Sequence, residues 1–122
     1  MGYYDEAEPT CKVSILGTDY NVYIGVSREN DPFLDHCDGY CDKTVKRCVV
    51  AGISNDSELG DFSIYEKTNL RHELIHAFLF ESGLDGNSFW GNGEDDHPEQ
   101  IVEWMAIQFP KLLRAFKEAQ AL

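Results

Sequence analysis

Apolar and polar positions along this chain change period half-way. Lys12-Val13-Ser14-Ile15-Leu16 and Tyr20-Asn21-Val22-Tyr23-Ile24-Gly25-Val26 are β-rich runs flanking Gly17-Thr18-Asp19, which predicts a hairpin. Ser27–Asp38 is polar and contains Pro32, so it reads as a loop. A second strand pair is expected over Gly39–Asp42 and Arg47–Ile53, turning near Asp42-Lys43-Thr44, and Asn55–Gly60 reads as a further loop. Beyond this the period lengthens. Ser63 and Glu66 fit a capping box, opening a helix through Ile64, Thr68, Ala77, Phe78 and Leu79 that ends at Gly83, a natural C′ residue. Leu74–Phe80 is apolar almost all round, which predicts a central helix buried on most faces. A glycine- and acid-rich loop follows over Asp85–Asp96, and Pro98 suits the first turn of a second helix. Ile101, Met105, Leu112, Leu113 and Phe116 supply that helix's apolar face. Pro110 is expected to kink or interrupt it, and Trp104 and Phe109 are expected in the core. The order of elements predicts an α+β fold, with N-terminal antiparallel hairpins packed on a central helix and a C-terminal helix.

No internal repeat or linker divides the 122 residues, so residues 1–122 read as a single domain with one core. Apolar residues make up 43% of the chain, too many for a disordered tail. The 22 acidic residues against 10 basic ones leave a net charge of −12. That balance argues against a nucleic-acid phosphate or membrane-surface partner, both of which need clustered Lys and Arg. Met1–Thr10 is acidic and lacks the basic and apolar regions of a secretory signal. Gly2 is followed by Glu6 where myristoylation wants Ser or Thr. A cytoplasmic protein is the expectation. Cys11, Cys37, Cys41 and Cys48 are then expected as reduced thiols rather than disulfides. His36 beside Cys37-x3-Cys41-x6-Cys48 raises structural zinc, but the spacings miss the C-x2-C pairs of such sites.

The candidate chemistry lies in Arg71-His72-Glu73-Leu74-Ile75-His76, which contains H-E-x-x-H. Residues four apart on a helix share a face, with Cβ atoms about 5–6 Å apart. Two imidazoles so placed converge on one ion at a Zn–N distance of about 2.0–2.1 Å. Glu73, next to the first histidine, is then placed to take a proton from a water that zinc has made acidic. With 4 His and 11 Glu in 122 residues, about 0.01 chance occurrences of the pattern are expected. It also falls in the middle of the strongest helix, the context its chemistry requires. A catalytic zinc takes three protein ligands. The metzincin extension is excluded, because Leu79 stands where Gly is needed and Ser82 where the last His belongs. His97, Glu99 and Glu103 are the remaining candidates for the third ligand, and Glu99 and Glu103 share a helix face.

Glu99-Gln100-Ile101-Val102-Glu103 resembles the Glu-x-x-x-Asp element on the second helix of gluzincin metallopeptidases. The resemblance implies that Glu99 is the third zinc ligand and that Glu103 hydrogen-bonds a ligand histidine from outside, fixing the tautomer of His72 or His76. Glu103 stands where that family usually has Asp. Leu70–Leu84, with Asp38-Gly39-Tyr40-Cys41-Asp42 before it and Glu99–Ala106 after it, resembles small metallopeptidases encoded by bacteriophages and prophages. These are similar in turn to minimal gluzincins and, more distantly, to SprT-like and ImmA/IrrE-like proteins. The resemblance covers Asp38 to Lys111 and implies one zinc ion, a protein or peptide substrate, and a sheet edge along the cleft to which a peptide adds as a strand.

Other residues draw plainer expectations. Phe89 and Trp90 read as anchors of the glycine loop, Glu94, Asp95 and Asp96 as solvated acids, and Arg71 as solvent-facing. Tyr40 and Tyr65 are candidate oxyanion donors. The leading expectation is a zinc metallopeptidase with Glu73 as general base. The alternative is a non-catalytic acidic binding or inhibitor protein of phage type that keeps a structural zinc, motivated by the net charge.

Overall fold

Leu16 and Gly17 take φ values of 51° and 89°, both left-handed, as a two-residue type I′ turn demands. They join β1 (Cys11–Ile15) to β2 (Thr18–Val26) in an antiparallel hairpin that registers Val13 on Tyr20. The structure is a computed structural model and describes residues 2–53, 60–84 and 99–122. A second antiparallel hairpin pairs β3 (Gly39–Asp42) with β4 (Arg47–Ala51), and Asp42 tightens its turn by accepting the Thr44 N–H at 3.0 Å. The α+β class stands, with one change: the two hairpins meet through a parallel β2–β4 pair, giving a mixed sheet in the order β1-β2-β4-β3. The polar stretch between them folds into a 3-10 turn over Pro32–Asp35, capped by Asp31, whose side chain accepts the Phe33 N–H at 3.1 Å.

Side chains of successive strand residues point to opposite faces. Tyr20, Val22 and Cys48 therefore join Ile15 and Ala77 in one buried cluster, with Leu70 and Leu74 of the long helix packed on it. Tyr23, Val49 and Ala51 bury the other face with Leu34, under Tyr4 and Tyr40. Tyr4 belongs to a short helix, α1 (Tyr3–Glu6), which the sequence reading leaves out. Both Tyr4 and Tyr40 donate their hydroxyl hydrogens to Asp31 Oδ2, at 2.6 and 2.5 Å. Burial and this shared carboxylate raise both phenols, Tyr40 to about 12.

The long helix α2 spans Phe62–Glu81. Its N-cap is Asp61 rather than Ser63, because Asp61 Oδ1 accepts both the Ser63 N–H (3.0 Å) and the Ser63 hydroxyl (2.6 Å). It ends before Gly83, whose φ of 85° suits a C′ position. Contrary to the sequence reading it is not buried on most faces: only Glu73, His76 and Ala77 are buried, and Phe78 is exposed, because the sheet covers one side alone. The C-terminal helix α3 (Glu99–Glu118) continues through Pro110 as one element. Its buried contacts are Val102 and Ala106, a narrow line of small side chains. Trp104 and Phe109 lie outside the core, 55% and 44% exposed: Trp104 sits on the side of α3 opposite Val102 and Ala106, and Phe109, though on their stripe, is left partly uncovered. Arg71 is not solvent-facing: it reaches α3 and donates Nε–H to the Ala106 carbonyl at 2.5 Å. No helix among the described residues is long and apolar enough to cross a membrane.

At the end of α2, Glu81 Oε2 accepts the Tyr20 hydroxyl at 2.7 Å and Lys46 Nζ at 2.9 Å. Lys46 first, then Tyr20, lowers the Glu81 carboxyl from 4.5 to about 2. A carboxylate held down in the folded state stabilises it above the unfolded value, and that contribution drains away as pH falls through the folded one. Urea midpoints are therefore expected to decline between about pH 4.5 and 2, and Glu81→Gln to flatten that part of the profile.

Candidate metal centre

The cleft lies between α2, the first two turns of α3 and β3, and encloses about 580 Å³, within the usual range for a ligand site. One face of α2 contributes Tyr65, Asn69, His72, Glu73, His76 and Phe80, a 3-to-4-residue stripe readable in the sequence. The opposite wall runs along the edge strand β3 through Gly39, Tyr40 and Cys41, with Phe33, His36 and Asp38 ahead of it. Gly39 is required by close approach. A Cβ there would sit 2.8 Å from the Val49 carbonyl oxygen and 3.2 Å from Glu73 Oε2, so any side chain would push the wall off β4 and off Glu73.

His72, His76 and Glu99 converge within this cleft. The two Nε2 atoms are 3.2 Å apart, and Glu99 Oε2 and Oε1 lie 2.9 Å from His72 Nε2 and His76 Nε2. Donors bonded at about 2.0–2.1 Å in a tetrahedron stand about 3.3 Å from one another, so the spacing fits a metal ion. Among the described residues this is the one group of His, Cys, Asp and Glu gathered closely enough to hold an ion. Glu103 does not join it: Oε1 lies 3.3 Å from His72 Nδ1. An N–H on Nδ1 donating to that carboxylate would leave Nε2 with its lone pair free for an ion held there. His97 lies outside the described residues, as do Pro98, Phe89, Trp90, Glu94, Asp95, Asp96 and most of Asn55–Gly60.

Glu73 is buried, 7% exposed, on the cleft wall one residue from His72. Burial first, then the negative charges of Glu99 and Glu103, pushes its carboxyl up to about 8. A divalent cation on His72, His76 and Glu99 would add the opposite charge beside it. Tyr40 and Tyr65 both line the cleft, but each donates its hydroxyl hydrogen to a carboxylate, Asp31 and Asp38 respectively. All four cysteines are free thiols. Cys41 and Cys48 face each other across β3 and β4 with Sγ atoms 3.6 Å apart, while Cys37 Sγ turns to the Phe33 carbonyl, and among the described residues the cysteines join no metal group. The sequence reading passes over Asn69, Phe80, Asp38 and Phe33 as cleft residues. The first two sit on the helical stripe of the histidines, and the others are placed by a loop with no legible pattern.

No known family, curated protein or solved structure matches this chain.

Glu99→Ala removes a donor from the group, and its metal affinity is expected to fall by more than the roughly 10–100-fold typical of losing an outer hydrogen-bond partner. Glu103→Gln is expected to fall within that smaller range. Calorimetric titration with zinc separates the two, and equal losses would place Glu103 among the ligands.

Proposed function

We propose that this protein is a zinc-dependent metallopeptidase that hydrolyses a peptide bond with Glu73 as general base. The carrying observation is the convergence of two histidine nitrogens and a carboxylate on one point, with a further buried carboxylate one residue away on the same cleft wall. Two imidazoles and one carboxylate suit zinc, and three donors among the described residues leave a coordination place for water, unlike the four that close a structural site. This donor count favours the catalytic reading over a binding protein with a structural zinc. Zinc held there would supply Lewis acidity, polarising a carbonyl and bringing a water's pKa toward neutrality.

The residues of the chain divide the remaining work. Glu73 takes the proton from the attacking water and returns it to the departing amine. Glu103 holds the His72 ring in the tautomer and orientation that keep Nε2 on the ion. An extended peptide adds to β3, one of the two edge strands among the described residues, whose Gly39–Cys41 stretch runs along the cleft. The acidic surface disfavours nucleic acid and fits a protein or peptide substrate.

Glu73→Gln should keep one equivalent of zinc and the wild-type circular-dichroism spectrum while losing about 10²–10⁴-fold in cleavage of a mixed-sequence fluorogenic peptide library. Undiminished cleavage by that variant, or no cleavage by the zinc-loaded wild type, overturns the reading.

A further inference from the structure

We infer that Arg71, through its bond to the backbone carbonyl that Pro110 leaves without a helical partner, is a positioning residue that sets the docking register of α3 and so delivers Glu99 to the metal group; this rests on the metal reading above. In an α-helix the carbonyl of residue i accepts the N–H of residue i+4. The partner position of Ala106 is Pro110, which has no N–H to give. Ala106 is fully buried against α2, and a carbonyl shut away from water without a donor is strongly unfavourable. Arg71 supplies the donor. Its Nε–H meets Ala106 O at 2.5 Å, and its Nη2 is braced by Thr68 Oγ1 at 3.2 Å. The guanidinium makes the bond charge-assisted, and its planarity makes it directional.

The placement of this bond links it to the metal group. Arg71 immediately precedes His72 on α2. On α3, Glu99, Val102, Glu103 and Ala106 follow one another at i, i+3, i+4 and i+7, so they form a single stripe facing α2. Val102 and Ala106, small and apolar, let the helices approach but offer little to stop α3 sliding or turning. A slip of one residue would rotate Glu99 by about 100° and shift it about 1.5 Å along the axis, out of reach of both Nε2 atoms. The register that satisfies Ala106 O through Arg71 is the one that places Glu99 2.9 Å from His72 and His76.

A double-mutant cycle on the full chain tests this, reading zinc affinity by competition with a chromophoric chelator and thermal unfolding in excess chelator. Arg71→Ala is expected to bind zinc about tenfold or more weakly and to melt lower without metal. Pro110→Ala restores an N–H to the helix and is expected to bind zinc within about twofold of wild type. In the double variant the Ala106 carbonyl pairs within α3, so most of the affinity lost in Arg71→Ala should return. Wild-type affinity in Arg71→Ala overturns the inference, as does a double variant as weak as the single one. Should Arg71→Ala not fold, the double variant is compared with Pro110→Ala, where a loss beyond about threefold is the overturning result. Absence of zinc binding in the wild type would refute the metal reading instead, and additive melting losses in chelator would still refute the coupling of Arg71 to Pro110.

Discussion

One carboxylate shared between two imidazoles organises this molecule. Glu99 sits 2.9 Å from both His72 Nε2 and His76 Nε2, on a helix whose buried side chains are only Val102 and Ala106. The contact gathers negative charge. With Glu103 beside His72 and Glu73 buried on the same wall, three carboxylates crowd two histidines, and Glu73 is pushed up by its burial first and then by the charges of Glu99 and Glu103. Crowding of this kind is unfavourable on its own, and a divalent cation held in the middle would relieve it.

The sheet gives that arrangement a floor. Both faces of β2 and β4 are buried, one under α2 and the other under α1 and the 3-10 turn, so the central strands hold α2 by Tyr20, Val22 and Cys48. β3 is thereby fixed at the rim of the cleft, with Gly39 close enough to Glu73 to exclude any larger residue. A bond at each end of the α2–α3 contact, Arg71 to Ala106 and histidine to Glu99, ties the second cleft wall to the first.

Local signals were readable and long-range ones were not. The β1–β2 hairpin follows from neighbouring residues around Gly17, and the end of α2 from Gly83. The start of α2 was misplaced by two residues because Asp61 and Ser63 are both good caps and only the folded backbone selects between them. The parallel β2–β4 pairing escaped because the residues between them, through the 3-10 turn and β3, carry no pattern that says which edge the chain returns to. Trp104 and Phe109 read as core residues, whereas the interhelix contact buries the smaller Val102 and Ala106.

The sequence by itself determined the α+β class, the two hairpins and the stripe on α2 that puts His72 and His76 on one face, because each depends on residues within a few positions of one another. It left the third donor open among His97, Glu99 and Glu103. Only the tertiary structure brought Glu99 to both rings and left Glu103 on His72 Nδ1, because that choice depends on the rotation of α3 about its axis. A helix's rotation is set by what it packs against, here Arg71 and the buried Ala106 carbonyl, and spacing along α3 alone carries no information about it.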